Sequence, residues 1–192
     1  MLTGSKIAGG NPTTKRVDFD YYATNPDAVR MLLNSHTFRG IDALEPCAGG
    51  GHIAKVLDEK FIVTALDIVD RGYPNTIIHD FLTWETDSRF DVIITNPPYS
   101  LAQEFIEKGL TLLNDGGQMA MFLKIQFLEG AKRKKFYENN PPKYIYVFRN
   151  RMATFANGEE LDKNGKKWAT TICHAWYVWE KNSKSEPIVR WL

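Results

Sequence analysis

The sequence predicts an α/β fold built on a parallel sheet, and three observations lead to this prediction. Seven short apolar runs, each bounded by turn residues, are typical of strands. Segments with helical periodicity lie between them, and strands that alternate with helices form right-handed βαβ units. A chain of 192 residues with 43% hydrophobic content has enough apolar material for one packed domain and too little for two ordinary ones.

The elements follow in chain order. Residues 1–19 have no apolar period and are predicted to be a flexible N-terminal arm, with one domain over residues 20–192. Thr24 or Asn25 can cap a first helix that has Pro26 in its first turn. The predicted strands cover residues 41–44, 61–66, 76–78, 90–95, 118–123, 144–148 and 172–179. Further helices are predicted at about 51–57, 101–113 and 130–139.

Residues 150–167 interrupt this alternation. The segment is polar and contains the turn pairs Asn157-Gly158 and Asn164-Gly165. Such a segment is typical of a loop or short hairpin that stands off the sheet. We expect it to be a candidate substrate-recognition loop.

Charge, cysteine and histidine spacing, and hydropathy argue against a generally basic surface, a metal site and a membrane-spanning helix. A formal net charge of +1 means that nucleic-acid contact must come from local basic clusters. Cys47, Cys173 and the four histidines lack metal-ligand spacing, so we expect no metal site and reduced thiols in a cytoplasmic protein. No apolar run approaches the roughly 20 residues of a membrane-spanning helix, so no membrane role is expected.

The first predicted strand runs into a glycine-rich turn that ends at Gly51. Glycines there let the backbone approach a ligand closely as the chain turns into a helix. The pattern Gly49-x-Gly51-x-x-Ala54 also matches a dinucleotide fingerprint, which leaves a nicotinamide oxidoreductase open, and a turn that binds nothing is a further alternative.

The charge next to this turn favours a cationic ligand. Glu45 precedes the glycines, where a carboxylate would face the sulfonium and ammonium groups of S-adenosylmethionine but would repel a pyrophosphate. Asp67, after the second strand, can accept from both ribose hydroxyls, as it also would from NAD. Asp80 can accept from the adenine amino group, and Phe81 or Ile68 can lie against the ring. The predicted cofactor residues are Tyr22, Thr24, Glu45, Pro46, Cys47, Ala48, Gly49, Gly51, Asp67, Ile68, Asp80, Phe81 and Asn96.

The sequence Asn96-Pro97-Pro98-Tyr99 follows the fourth strand, at the edge where open α/β sheets bind ligands. An exocyclic amino group is a poor nucleophile because its lone pair is delocalised. The Asn96 side-chain oxygen and the Pro97 carbonyl can each accept one amino hydrogen, which directs the lone pair at a methyl donor. Pro98 helps to fix the backbone, and Tyr99 offers a face for base stacking. These four residues are the predicted catalytic set.

With these motifs in this order, the chain resembles the class I S-adenosylmethionine-dependent methyltransferases that carry an Asn-Pro-Pro-Tyr motif. It is similar to small phage and prophage DNA N6-adenine methyltransferases. The resemblance implies a Rossmann-like sheet of seven strands, mostly parallel with the last strand antiparallel, and helices on both faces. It also implies S-adenosylmethionine as cofactor and residues 96–99 as the active site.

The expected substrate is therefore the adenine N6 of DNA. Lys132, Arg133, Arg149 and Arg151 are predicted to bind the substrate through phosphate contacts near residues 96–99. RNA bases or a protein glutamine stay open, because the motif requires only a planar NH2 group. A non-catalytic binding module is a further alternative.

Overall fold

The structure, a computed structural model, describes residues 21–192. The predicted arm at residues 1–19 lies outside this range. The helices are α1 (Pro26–Ser35), α2 (Ala54–Leu57), α3 (Ala102–Leu112) and α4 (Lys134–Asn139). The strands are β1 (Tyr22–Ala23), β2 (Asp42–Glu45), β3 (Ile62–Asp67), β4 (Ile77–Ile78), β5 (Phe90–Thr95), β6 (Leu113–Lys124), β7 (Tyr144–Val147), β8 (Phe155–Ala156), β9 (His174–Glu180) and β10 (Ile188–Trp191). The short 3-10 turns are Tyr99–Leu101, Ile125–Leu128 and Ala131–Arg133.

Eight of these strands form one sheet, in the order β10-β7-β9-β6-β5-β2-β3-β4. The strands from β4 to β6 are parallel, whereas β9 is antiparallel to both of its neighbours, β6 and β7. This confirms the Rossmann-like, mostly parallel sheet with its seventh predicted strand antiparallel. That strand lies inside the sheet rather than at its edge.

Alternating side chains give the sheet two apolar faces. On one face, Leu44, Ile93, Met121 and Tyr177 are buried together with residues of α3 and α4. On the other face, the intervening residues Ala43, Val92, Ile94 and Phe122 are buried with α1 and α2. Because successive strand residues point to opposite faces, each strand contributes side chains to both apolar faces. The helices therefore lie on both faces, as predicted.

The predicted helices all exist, with shifted ends. Asn25 caps α1, since its side-chain oxygen accepts from the Asp27 N–H at 2.9 Å. The second helix was predicted from residue 51 and begins only at Ala54, because the glycine turn continues through residue 53. Such offsets at helix ends are typical of pattern-based boundaries.

The structure adds three strands that the sequence did not predict. β10 pairs in parallel with β7 and forms the sheet edge, although all four of its side chains are exposed, so no alternating apolar pattern marked it. β1 and β8 form a separate two-stranded antiparallel sheet in which Tyr22 pairs with Ala156 and Ala23 with Phe155. Each of these two strands has only two residues, which is too short for a periodic signal.

The carboxyl ends of the parallel strands meet at one edge of the sheet. In spatial order this edge presents the ends of β4, β3, β2, β5 and β6, followed by the beginning of the antiparallel β9. Neighbouring strands lie about 4.8 Å apart, so residues at successive strand ends form a row. None of the helices in the described part of the chain has both the length and the apolar character that crossing a membrane requires.

Candidate active site

A cavity of about 520 Å³ opens at this edge of the sheet. Its walls include all four residues of the Asn-Pro-Pro-Tyr segment. They also include eleven of the thirteen predicted cofactor residues: Tyr22, Thr24, Glu45, Pro46, Cys47, Ala48, Asp67, Ile68, Asp80, Phe81 and Asn96. Gly49 and Gly51 are the two that are not wall residues. The structure thus brings segments from residue 22 to residue 99 together around one space.

The glycine turn is shaped by close contacts on both of its sides. Gly49 has a φ of +53°, and a Cβ atom there would lie 2.3 Å from Cε2 of Tyr21. The Tyr21 hydroxyl accepts a hydrogen bond from the Gly50 N–H at 2.8 Å. At Gly51, with a φ of +79°, a Cβ would lie 2.2 Å from the Tyr73 ring. Glycine is required at both positions by backbone conformation and by space.

Two buried polar atoms in the cavity wall have no hydrogen-bond partner among the described residues. They are Oε2 of Glu45 and Oγ1 of Thr24, in side chains that are only 1% and 2% exposed. Burial raises the pKa of the Glu45 carboxyl well above its usual value. An unpartnered buried carboxylate oxygen is costly unless a cation or a hydrogen-bond donor meets it. An amino-acid zwitterion fits this pair, because its ammonium would meet Glu45 and its carboxylate the Thr24 hydroxyl.

Asp67 and Asp80 are held by backbone N–H donors. Asp67 accepts from the Gly49 N–H at 2.8 Å and, through its other oxygen, from the Val69 N–H at 2.9 Å. Asp80 accepts from the Leu82 N–H at 2.9 Å, which is the loop-cap arrangement that such a residue often adopts. Each carboxylate oxygen has two lone pairs, so both side chains retain acceptor capacity toward the cavity.

The two apolar residues predicted to contact the adenine ring, Phe81 and Ile68, differ in how much of their surface is exposed. Both Phe81 and Ile68 line the cavity. Phe81 is only 2% exposed, and its ring packs on Phe105 with centroids 5.0 Å apart. Ile68 is 55% exposed, so it has surface available to cover a flat ring.

Asn96 is oriented by β1. Its Nδ2 donates to the Tyr22 carbonyl at 3.0 Å. A carbonyl can only accept, so this contact requires the NH2 end of the amide and leaves Oδ1 as the acceptor on the other side. The Pro98 carbonyl accepts from the Leu101 N–H at 2.9 Å, whereas the Pro97 carbonyl has no partner within residues 21–192. Two acceptors, Asn96 Oδ1 and Pro97 O, are therefore available.

Cys47 lines the same cavity, and the protonation state of its thiol bears on covalent catalysis. Burial raises the pKa of the Cys47 thiol well above its usual value, and the nearby Asp67 carboxylate raises it further. A thiol rather than a thiolate is a weak nucleophile. Covalent catalysis through Cys47 is therefore disfavoured.

Two wall residues beside Tyr99 were not predicted, Lys124 at the end of β6 and His174 at the start of β9. The Lys124 ammonium lies 4.9 Å from the centroid of the Tyr99 ring, and the His174 ring lies 6.1 Å from it. Lys124 and His174 face each other directly in the β6–β9 pairing. The rule that identified Asp67 and Asn96, a polar residue just past a strand end, would also have identified Lys124.

His174 is held in a neutral form. Burial lowers its pKa to about 4, and the Lys124 ammonium acts in the same direction. Its Nδ1 lies 3.1 Å from the Met152 carbonyl, which requires the proton on Nδ1 and leaves Nε2 as an acceptor. Sequence reasoning assigned this histidine no role because no metal-ligand spacing surrounds it.

The four predicted phosphate-binding residues do not line the cavity. Arg133 donates to the Phe127 carbonyl at 3.0 Å, and its guanidinium lies over the Phe127 ring. Arg151 donates to the Thr171 carbonyl. Lys132 and Arg149 are exposed. Their contact with a substrate remains a prediction, and it would have to occur outside the cavity.

Residues 150–167 contribute one wall residue, Thr154, and Ile172 lies just after this segment. A single bridge between Leu161 and Lys167 forms a short hairpin within the segment, and β8 pairs the segment with β1. In the described part of the chain, no group of three metal-ligating side chains is close enough to hold an ion.

No protein-family model matches the chain. A curated relative, Type II methyltransferase M.CvrRI of Paramecium bursaria Chlorella virus XZ-6E, is 29% identical over 130 residues, which cover 52% of this chain and 33% of that protein. The chain thus spans about one third of the length of the curated relative it matches.

Two solved structures share the fold. A proposed RNA methyltransferase from Pyrococcus horikoshii has a TM-score of 0.62 at 15% identity, with 94% of this chain and 99% of the other covered. A proposed class I S-adenosylmethionine-dependent methyltransferase from Listeria monocytogenes has a TM-score of 0.57 at 16% identity, with 86% and 62% covered. The strand order, the antiparallel β9 and these likenesses show that the chain has the Rossmann-like fold of the class I methyltransferases.

Proposed function

We propose that the protein is an S-adenosylmethionine-dependent methyltransferase that acts on an exocyclic amino nitrogen, the N6 of adenine in DNA. The observation that supports this most is the pair of available acceptors, Asn96 Oδ1 and Pro97 O, in the cavity that also contains the unpartnered carboxylate oxygen of Glu45. The two acceptor oxygens suit the amino group, and the Glu45 carboxylate suits a cationic methyl donor.

The cofactor half of the cavity consists of the ends of β2, β3 and β4. When bound, S-adenosylmethionine would supply an activated methyl group on a sulfonium. Glu45 would hold its ammonium and Thr24 its carboxylate. Asp67 would accept from its ribose hydroxyls, while Ile68 and Asp80 would contact its adenine. This assignment favours S-adenosylmethionine over a nicotinamide cofactor, since the buried Glu45 would repel a pyrophosphate.

Asn96 and Pro97 would position the amine. Each oxygen accepts one hydrogen of the NH2 group, which withdraws the lone pair from the ring and directs it along the line of transfer. The hydrogen bond from Asn96 Nδ2 to Tyr22 O fixes the amide before substrate arrives, so little ordering is needed at the moment of reaction. Tyr99 would stack on the base.

DNA is proposed as the polymer because the curated relative is a type II methyltransferase and because of the motif resemblance. RNA adenine or guanine and a protein glutamine present the same planar NH2 group. If adenine lies within a duplex, it must leave the stack to enter the cavity, which costs a few kcal/mol.

Incubation with labelled S-adenosylmethionine and, separately, duplex DNA, single-stranded DNA, RNA and cell-extract protein tests this proposal. Digestion to nucleosides and mass analysis identify both the polymer and the methylated atom. We expect N6-methyladenine from DNA. Label in RNA or protein alone would overturn the DNA assignment, and a thermal shift with NAD but none with S-adenosylmethionine would overturn the reaction class.

A further inference from the structure

The edge of the sheet that forms the cavity is divided by Asn96 into two halves of different charge. Its end residues in spatial order are Asp80, Asp67 and Glu45 on the cofactor side and Lys124 and His174 on the other side. Arg71 is a cation on the cofactor side, where its guanidinium lies 4.2 Å over the Tyr21 ring. Lys124 is a cation beside Tyr99.

Among the described residues, the Lys124 ammonium has only weak contacts. It is half-buried and lies over the Tyr99 ring, and in residues 21–192 no carboxylate is within ion-pair distance of it. His174, which pairs with it across the strands, is neutral at physiological pH because burial holds its pKa near 4. A partly desolvated cation without a counter-ion attracts an anion from the solvent or from a substrate.

We propose that Lys124 binds a phosphate next to the target nucleotide and thereby makes the cavity select nucleic acid over a protein amide. This inference rests on the proposed function, because Asn96 fixes where the reactive NH2 group lies. A base stacked on Tyr99 would carry its phosphates one sugar away from the ring, and Lys124 lies beside that ring. The contact of Lys124 with the ring is weak enough to be exchanged for a phosphate, whereas a glutamine side chain offers no anion there.

The salt dependence of binding measures this contact. Each phosphate that a protein neutralises adds about one unit to the slope of log affinity against log salt concentration. Binding of a labelled oligonucleotide in the presence of S-adenosylhomocysteine is to be measured for wild type and Lys124→Met. We expect the slope to fall by about one unit and the KM for DNA to rise about tenfold, with a smaller change in kcat.

Two further variants keep this result interpretable. Lys124→Arg retains the cation and should retain the slope even if its kinetics change. Lys60→Met removes the same charge from an exposed position before β3, at the opposite edge of the sheet, and should leave slope and KM as in wild type. Cooperative thermal unfolding of each variant shows that it is folded.

The outcomes separate the two proposals. Methyl transfer to DNA with a slope unchanged in Lys124→Met overturns the phosphate contact and leaves the proposed function intact. If the wild-type protein transfers no methyl group to DNA but the slope still falls in Lys124→Met, the phosphate contact is supported and the proposed function is overturned. A slope that falls equally in Lys60→Met also overturns the contact, because the effect would then be one of net charge.

Discussion

The two halves of the cavity are built in different ways. On the cofactor side, Asp67 accepts from an N–H of the glycine turn and from one of its own turn, Asp80 accepts from an N–H of its own turn, and Tyr21 packs on the glycine turn. On the Tyr99 side, the ring contact is the one contact that holds the Lys124 ammonium within residues 21–192, and Thr154 and His174 come from distant parts of the chain. The cofactor side is thus formed in advance for one ligand, whereas the other side can adapt to its substrate.

The largest effect is expected at the boundary between these halves. Asn96→Ala removes one of the two amine acceptors and should lower kcat about a thousandfold, by comparison with the loss of a single preorganised hydrogen bond in other enzymes. Cofactor affinity, measured by calorimetry, should stay nearly unchanged. Asn34→Ala, on the exposed side of α1, is the control. If Asn96→Ala lowered both kcat and cofactor affinity, the hydrogen bond from Asn96 to the Tyr22 carbonyl would instead be needed to hold the cofactor side together.

The next effect tests the cofactor side alone. Glu45→Gln keeps the shape but removes the charge, and it should weaken S-adenosylmethionine binding about 30-fold, which corresponds to about 2 kcal/mol for a hydrogen bond to a charged group. Exposed Glu85→Gln should have no effect. Equal affinity of wild type and Glu45→Gln for the cofactor would contradict our assignment of the ammonium to this carboxylate.

The raised pKa of Glu45 adds a pH dependence with a defined sign. The ionised carboxylate binds the cation, so affinity should rise with pH until the raised pKa is passed, and binding below it should release a proton. Calorimetry in two buffers of different ionisation enthalpy measures that proton, and Glu45→Gln should abolish its release. The stability contributed by the protonated carboxyl is lost as pH rises through the raised pKa, so Glu45→Gln should unfold at a higher temperature than wild type at alkaline pH.

The smallest effect separates backbone strain from close packing in the turn. Gly49→Ala should cost about 1–2 kcal/mol for its positive φ and more for its clash with Tyr21. Gly72 has a similar φ of +82° but nothing near its Cβ position, so Gly72→Ala should show the strain alone. Urea unfolding measures both. If the two variants lose equal stability, Tyr21 does not pack on the turn as described.

The sequence identified the wall residues at the ends of β2 and β3 far better than those beside Tyr99. Glu45, Asp67 and Asn96 each follow an apolar strand in the order that a doubly wound sheet requires, so their meeting follows from topology. Lys124 also comes directly after a predicted strand, the one at residues 118–123, so the same rule would have identified it. His174 and Thr154 could not be found in this way, since their position depends on an antiparallel strand and on a two-residue pairing with β1.

The basic residues show a second limit of sequence reasoning. Lys132, Arg133, Arg149 and Arg151 were grouped by charge, and charge alone does not tell whether a guanidinium is already used. In the structure, Arg133 and Arg151 both donate to backbone carbonyls. Only the contacts in the folded structure distinguish these two arginines from Lys124.

The small sheet of β1 and β8 joins two segments of the cavity wall. Tyr22 carries the carbonyl that holds Asn96, and its strand partner Ala156 belongs to the segment that also supplies Thr154. The Asn157 N–H donates to the Tyr21 carbonyl as well. A movement that lifts one segment must therefore carry the other with it or break their shared hydrogen bonds. The two segments of the wall would then move as one unit.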